Sequence, residues 1–235
     1  MKDGLSELKK DLKKRRNEKK AKIYRRFFKT NRGEYAAGDV FFGISSPELN
    51  VLAKKYRNIS IREIEKILHS EVHEARSLAL RILVKKYESG NDDERVYRAY
   101  IRNLRRINNW DLVDISASAI VGRHLFNRDK KTLFILARSK NVWSRRVAMI
   151  ASFYFIKQGV FSDALSIAEI LVHDSHDLIR KAVGWMLREV GKRSPHKEEV
   201  FLRKYYKTMP RVTLRYAIER FPKAQRIKYL KGFEI

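Results

Sequence analysis

The sequence predicts an all-α fold, a single α-solenoid domain over residues 1–235 in which helices pair and the pairs stack. Three observations predict it. Apolar residues recur at helical spacing along most of the chain, and no stretch alternates with period two. Only 10 Gly and 4 Pro occur in 235 residues, with 44% hydrophobic and 34% charged residues, the balance of an ordered helical protein. Third, one segment recurs: Ala75-Arg76-Ser77-Leu78-Ala79-Leu80, Ser144-Arg145-Arg146-Val147-Ala148-Met149 and Leu178-Ile179-Arg180-Lys181-Ala182-Val183. With Ala79, Ala148 and Ala182 taken as equivalent, the intervals are 69 and 34 residues, so a further equivalent falls at 113 or 114. A period in the mid-thirties with two helices per unit is the pattern of HEAT or TPR arrays.

The elements follow in order. Residues 1–22 form a basic arm within a helical stretch at 5–29, with Leu5, Leu8, Leu12, Ile23, Phe27 and Phe28 as its apolar positions. Its lysine-rich middle either grips phosphates or is a solvated helix face. Residues 31–39 are rich in turn formers. The helical repeats span 41–231, opening at Ser45-Ser46-Pro47-Glu48 with Ser46 as cap and Pro47 at the first helical position. Helices are expected at 47–57, 60–69, 72–88, 93–105, 110–126, 130–138, 142–157, 161–172, 175–191, 196–207, 211–220 and 223–231.

Charge narrows the partner. Lys and Arg number 53 against 27 Asp and Glu, a formal net charge of +26. Such an excess calls for a polyanion, and a thermophile surface would balance Lys against Glu. Nucleic acid is the expected partner, and one concave face of a solenoid suits duplex DNA. The absence of Cys excludes a disulfide framework, a thiolate zinc site and a Cys nucleophile. No stretch reads as a signal peptide or a membrane span, so a soluble, cytoplasmic, nucleoid-associated protein without membrane contact is expected. A solenoid with polar ends has no need to dimerise, so a monomer is expected.

Four positions stand out for chemistry. Trp110 and Asp114 are four apart and share a helix face. A helix N-terminus capped by Asn109 accounts for Asp111, but Asp114 lies beyond the first turn, at the position where the sister repeats carry alanine. Trp185 sits roughly 140° from the Ile179, Val183, Met186 and Val190 stripe, towards Lys181 and Arg188. There it either stacks on sugars or bases or packs against the next repeat. Arg146 lies at the margin of an apolar stripe and Arg145 away from it; Arg146 reaches an anion or a neighbouring carboxylate. The histidines (His69, His73, His124, His173, His176, His196) show no metal spacing, so no metal and no cofactor are expected. Nucleotide-hydrolysis and serine-esterase motifs are missing as well.

Several segments resemble the AlkD-type DNA alkylation repair glycosylases, built from HEAT-like repeats. They are Phe41-Phe42-Gly43-Ile44-Ser45-Ser46-Pro47, Trp110-Asp111-Leu112-Val113-Asp114, Asn141-Val142-Trp143-Ser144-Arg145-Arg146 and Ala182-Val183-Gly184-Trp185-Met186-Leu187-Arg188-Glu189. One departure is Asn109, where the family often has a second aromatic. The resemblance implies catalysis by Asp114, aromatic walls from Trp110 and Trp185, and a phosphate contact from Arg146. Arg145, Lys181 and Arg188 are expected as further DNA contacts. The implied activity is that of a monofunctional glycosylase releasing cationic 3-methyladenine and 7-methylguanine from duplex DNA. Two rivals share the scaffold: a non-catalytic HEAT-repeat binder of bent, branched or damaged DNA, and a protein-interaction scaffold, which calls for a less basic chain.

Overall fold

The structure, a computed structural model, describes residues 4–90 and 92–232; residues 1–3 of the expected arm lie outside the described residues. It is helical throughout, and among the described residues the only extended pairing is an isolated bridge between Val40 and Val72. The chain divides into two compact units, Met1–Ile120 and Val121–Ile235. No helix among the described residues is long and apolar enough to cross a membrane.

The first unit contains α1 (Gly4–Lys14), α2 (Glu18–Phe27), α3 (Ser46–Lys55), α4 (Ile61–Leu68), α5 (His73–Glu88), α6 (Asp93–Arg102) and α7 (Trp110–Asp114). The arm expected as one helix is two, because the Asn17 side chain accepts the Lys20 N–H at 3.0 Å and starts a second helix. Leu8, Leu12 and Ala21 are buried, so the arm is part of the fold rather than an appendage. At α3 the cap is Ser45, not Ser46. Glu48 lies three residues beyond Ser45 and reaches back to its N–H at 2.9 Å, which places Ser46 and Pro47 inside the first turn. The core helix is α5, which packs on α3, α4, α6 and α7 and is buried without interruption from His73 to Leu80. That continuous burial explains the weak amphipathic pattern of its sequence.

The second unit contains α8 (Arg123–Leu125), α9 (Lys131–Ala137), α10 (Val142–Ala151), α11 (Phe153–Lys157), α12 (Ser162–Leu171), α13 (Asp177–Gly191), α14 (Pro195–Tyr205), α15 (Arg211–Ala217) and α16 (Lys223–Lys231). Here the repeat is explicit. The pairs α9–α10 and α12–α13 stack, with α10 against α13 and α9 against α12. Ala148 and Ala182, the residues that set the 34-residue interval, are both buried at those contacts.

Two expected long helices are interrupted. The helix at 110–126 ends after Asp114 and continues through a π turn, Ser118–Gly122. The helix at 142–157 breaks at Ser152. In both, a buried serine hydroxyl takes a backbone carbonyl: Ser116 that of Leu112 at 2.5 Å, Ser152 that of Met149 at 2.7 Å. Such back-bonding competes with the helix ladder, and the apolar residues on either side of each serine hide the break from the sequence.

An arginine recurs at the entrance to the inner helices. Nη1 of Arg76 donates to the carbonyls of Ser70 and Glu71 at 2.9 and 3.1 Å, and its Nη2 reaches Asp39 at 2.7 Å. Arg145, its counterpart in the alanine register, donates from Nη1 to Ser139 and Lys140 at 3.0 Å each and from Nε to Asp174 at 2.6 Å. Each ties a helix start to its own preceding turn and to a neighbouring carboxylate.

A close interhelix approach in the second unit is at Gly184, where α13 meets α15. A Cβ there would lie 2.5 Å from both the Thr213 carbonyl oxygen and the Tyr216 Cβ. Gly184→Ala is therefore expected to lower stability by about 1–3 kcal/mol, as overpacking of a close contact does. Thermal unfolding of the two proteins checks this; an unchanged melting temperature would show that α15 moves away freely.

Candidate active-site residues

In the first unit, α7 begins because the buried Asn109 side chain accepts the Trp110 N–H at 2.8 Å. The helix places Trp110 and Asp114 one turn apart, both half-buried. Trp110 is held on several sides. Its Nε1 donates to the Tyr35 hydroxyl at 3.2 Å. Phe28 stacks on one face of the indole, with centroids 5.3 Å apart and planes at 21°, and Phe27 meets it edge-on at 5.8 Å and 72°. Phe41 stacks in turn on Phe28 at 5.1 Å and 17°. Loop and arm aromatics thus pre-set the orientation of the indole, each pair adding about 0.5–1.5 kcal/mol beyond its buried area.

Asp114 lies near a buried hydroxyl pair, Tyr100 and Ser116, whose oxygens are 3.1 Å apart. Burial raises the Tyr100 hydroxyl's pKa, the Ser116 hydrogen bond lowers it, and the Asp114 charge raises it further. That phenol stays protonated beside Asp114.

Asp111 does not merely complement the dipole of α7. It accepts from Nε2 of His73, the first residue of α5, at 2.8 Å, while His73 Nδ1 lies 3.3 Å from Asp39. The imidazole is buried and stacked on Phe41 at 4.6 Å. Burial alone would lower its pKa; Asp111 and Asp39 outweigh burial and the repulsion of Arg76, and raise it to about 9. On the other side of the pair, burial works against the Asp39 carboxylate, while His73 and Arg76 hold its pKa below the usual range. In the repeat register Asp111 occupies the position of Arg76 and Arg145, so this unit carries the inverse clamp, a carboxylate on α7 and a cation on α5. Next to it the buried Glu74 carboxylate accepts the N–H groups of Phe42, Gly43 and Ile44 at 3.0, 2.7 and 3.3 Å, which fixes the segment bearing Phe41.

In the second unit Arg146 is 5% exposed, and its Nη1 donates to the Leu178 carbonyl at 2.6 Å in the first turn of α13. Lys181 pairs with Asp177 at 2.7 Å, and Arg188 pairs with Glu219. Arg145 spends its donors on Asp174 and two carbonyls, as described above. Trp185 is half-buried with Phe153 at 6.1 Å, and Lys157 and Arg193 lie 5.0 and 5.9 Å from the Phe153 centroid. Trp185 and Phe153 therefore form an aromatic pair whose Phe153 ring is flanked by two cations. The third tryptophan, Trp143, is core.

Sequence reasoning missed Tyr35, Phe28 and His73. The first two come from a loop and an arm whose approach to α7 has no periodic signal. His73 was visible only as a histidine without metal spacing, and among the described residues no group of three or more His, Asp or Glu is arranged to hold a metal.

The His73 clamp has a pH signature. A folded pKa of about 9 against the ordinary 6.5 means its contribution is complete below pH 6.5 and is lost as pH rises through 9. The loss is on the order of 3 kcal/mol. Denaturant unfolding at pH 6.5 and 9.5 should show that decline in the wild type and a much smaller one in His73→Asn; equal declines would show that the imidazole is neutral.

A sequence profile described as DNA alkylation repair enzyme matches residues 8–221 of the chain. Among solved structures, a protein from Enterococcus faecalis described as a predicted DNA alkylation repair enzyme superposes with a TM-score of 0.72 at 20% identity, covering 89% of this chain and 98% of that one. The crystal structure of AlkD2 from Streptococcus mutans superposes with a TM-score of 0.54 at 19% identity, covering 88% and 99%. No curated protein matches the chain. At these identities the two structures support the fold, and the family rests on the profile.

Proposed function

The chain belongs to the DNA alkylation repair enzyme family, and from that premise we propose that it hydrolyses the N-glycosidic bond of cationic N3- and N7-alkylpurines in duplex DNA. The observation that carries this reading is the half-buried Asp114, one turn beyond an indole held rigid by Phe28, Phe27 and Tyr35.

The chemistry needs little else. An alkylated purine carries a positive charge, so it departs as a neutral base when the C1′–N bond breaks, without a general acid. The sugar is left as an oxocarbenium-like cation, which a nearby carboxylate stabilises. Water adds to C1′ and passes its proton to Asp114 or to solvent, leaving an abasic site and an intact strand. Trp110 attracts the cationic nucleotide through its π face, an effect worth about 0.5–2 kcal/mol. Trp185 is assigned the same task in the second unit. No lysine nucleophile is required, so the proposed enzyme is monofunctional.

Arg146 is assigned a phosphate contact. Arg145, Lys181 and Arg188 serve as further DNA contacts only by exchanging Asp174, Asp177 and Glu219 for phosphate, an exchange whose gain is the difference between two ion pairs. A second reading, a non-catalytic reader of damaged DNA, draws support from the indole of Trp110, one face of which is already occupied by Phe28.

Release of methylated bases from methylated duplex DNA separates the two readings. Asp114→Asn should slow release of 3-methyladenine and 7-methylguanine by about 100-fold or more, the scale for losing one charge-stabilising group, with DNA affinity retained. Trp110→Ala and Trp185→Ala should each weaken release by about tenfold. Equal release by Asp114→Asn and wild type sinks the catalytic assignment; no release by wild type, with tight binding kept, favours the reader.

A further inference from the structure

The cations assigned to DNA from the sequence are engaged by protein carboxylates or buried against carbonyls, while others stand without such partners. Residues 4–32 hold thirteen Lys and Arg against three carboxylates, Glu7, Asp11 and Glu18. All three carboxylates are spent inside the fold. Glu7 and Asp11 bind Lys55 at 3.0 and 2.8 Å, Asp11 also accepts from the Tyr56 hydroxyl at 2.8 Å, and Glu18 binds Arg16 and Arg25 at 3.1 and 2.9 Å.

These pairs and the buried contacts set the orientation of α2. Ala21 is buried, and Tyr24, Arg25 and Phe28 turn towards the unit. The opposite face carries Lys19, Lys22 and Arg26, all exposed and without an ion pair among the described residues. Their spacing of three and four residues sets like charges one above the other on a helix, an arrangement that repels itself unless an anion lies against it. At its C-terminal end this face reaches Phe27, whose ring meets Trp110 edge-on.

We propose that the outer face of α2 is a DNA-backbone binding surface in which Lys19, Lys22 and Arg26 contact successive phosphates beside Trp110. The inference rests on the repair reading only for the identity of the polyanion. A duplex fits this face better than an anionic membrane. Insertion into lipid needs a free apolar flank, and of the two exposed apolar residues here, Ile23 and Phe27, the second is engaged by Trp110. The contacts are to phosphate, so they carry affinity and register without sequence preference.

The test is the salt dependence of binding of the full chain to an undamaged 20-base-pair duplex, where each phosphate contact contributes a slope of about 0.9 in log K against log salt. Lys19→Gln, Lys22→Gln and Arg26→Gln combined should reduce the slope by about 2 to 3. A charge-matched variant at the exposed Lys54, Arg57 and Arg62, each changed to Gln, should change it by less than 1. Circular dichroism confirms that both variants fold. Equal slope changes in the two variants, no change in the first, or no measurable duplex binding by the wild type overturns the proposal. So does α2-dependent binding to phosphatidylserine vesicles with duplex binding unaffected. The repair reading is judged separately, by base release from wild type and Asp114→Asn, so a slope change without base release would sink that reading and leave this surface standing.

Discussion

A helix that follows a tight turn must find donors for the carbonyls of that turn, and the packing of this protein depends on how it does so. Arg76 and Arg145 both fold back over their own preceding turns and bind a carboxylate from another segment, Asp39 and Asp174. A guanidinium suits the task because its planar donors serve carbonyls and a carboxylate at once, which a lysine cannot do. The repeat is thus held by an electrostatic clamp at each of these entrances as well as by the alanine contact between helices.

Where that clamp is inverted, the candidate chemistry begins. Asp111 replaces the arginine, and His73 on the preceding inner helix supplies the cation. A buried ion pair of this kind is costly to desolvate and costlier to break, which makes it a device for orientation more than for stability. It anchors the first turn of α7, and so fixes the direction in which Trp110 and Asp114 leave the helix. Glu74 secures the opposite wall by collecting three backbone N–H groups around Gly43. The aromatic column Trp110–Phe28–Phe41 then stands between two carboxylate anchors.

The net charge of +26 distributes unevenly in what it can do. In the second unit Arg145, Lys181 and Arg188 are paired, and their carboxylates must be displaced before they can grip phosphate. On the outer face of α2 no such competition exists. Total charge reports that a polyanion is wanted; it does not report which cations are available, since pairing is settled by tertiary neighbours.

Helical period and the 34-residue interval were enough to determine the all-helical repeat fold, because apolar spacing and small residues at helix contacts are local properties written along the chain. The family motifs nominated Trp110, Asp114, Arg146 and Trp185 as candidates by type and order. The breaks at Ser116 and Ser152 were not legible, since a serine in a helical pattern shows its hydroxyl but not which carbonyl it will take. Nor was the partnership of His73 with Asp111, 38 positions away, or the shielding of Trp110 by Phe28 from the arm. Those depend on which segments meet in space, and only the tertiary structure decides that, because carboxylates brought from distant positions hold a buried histidine as a cation and packing sets a phenylalanine of the arm against an indole.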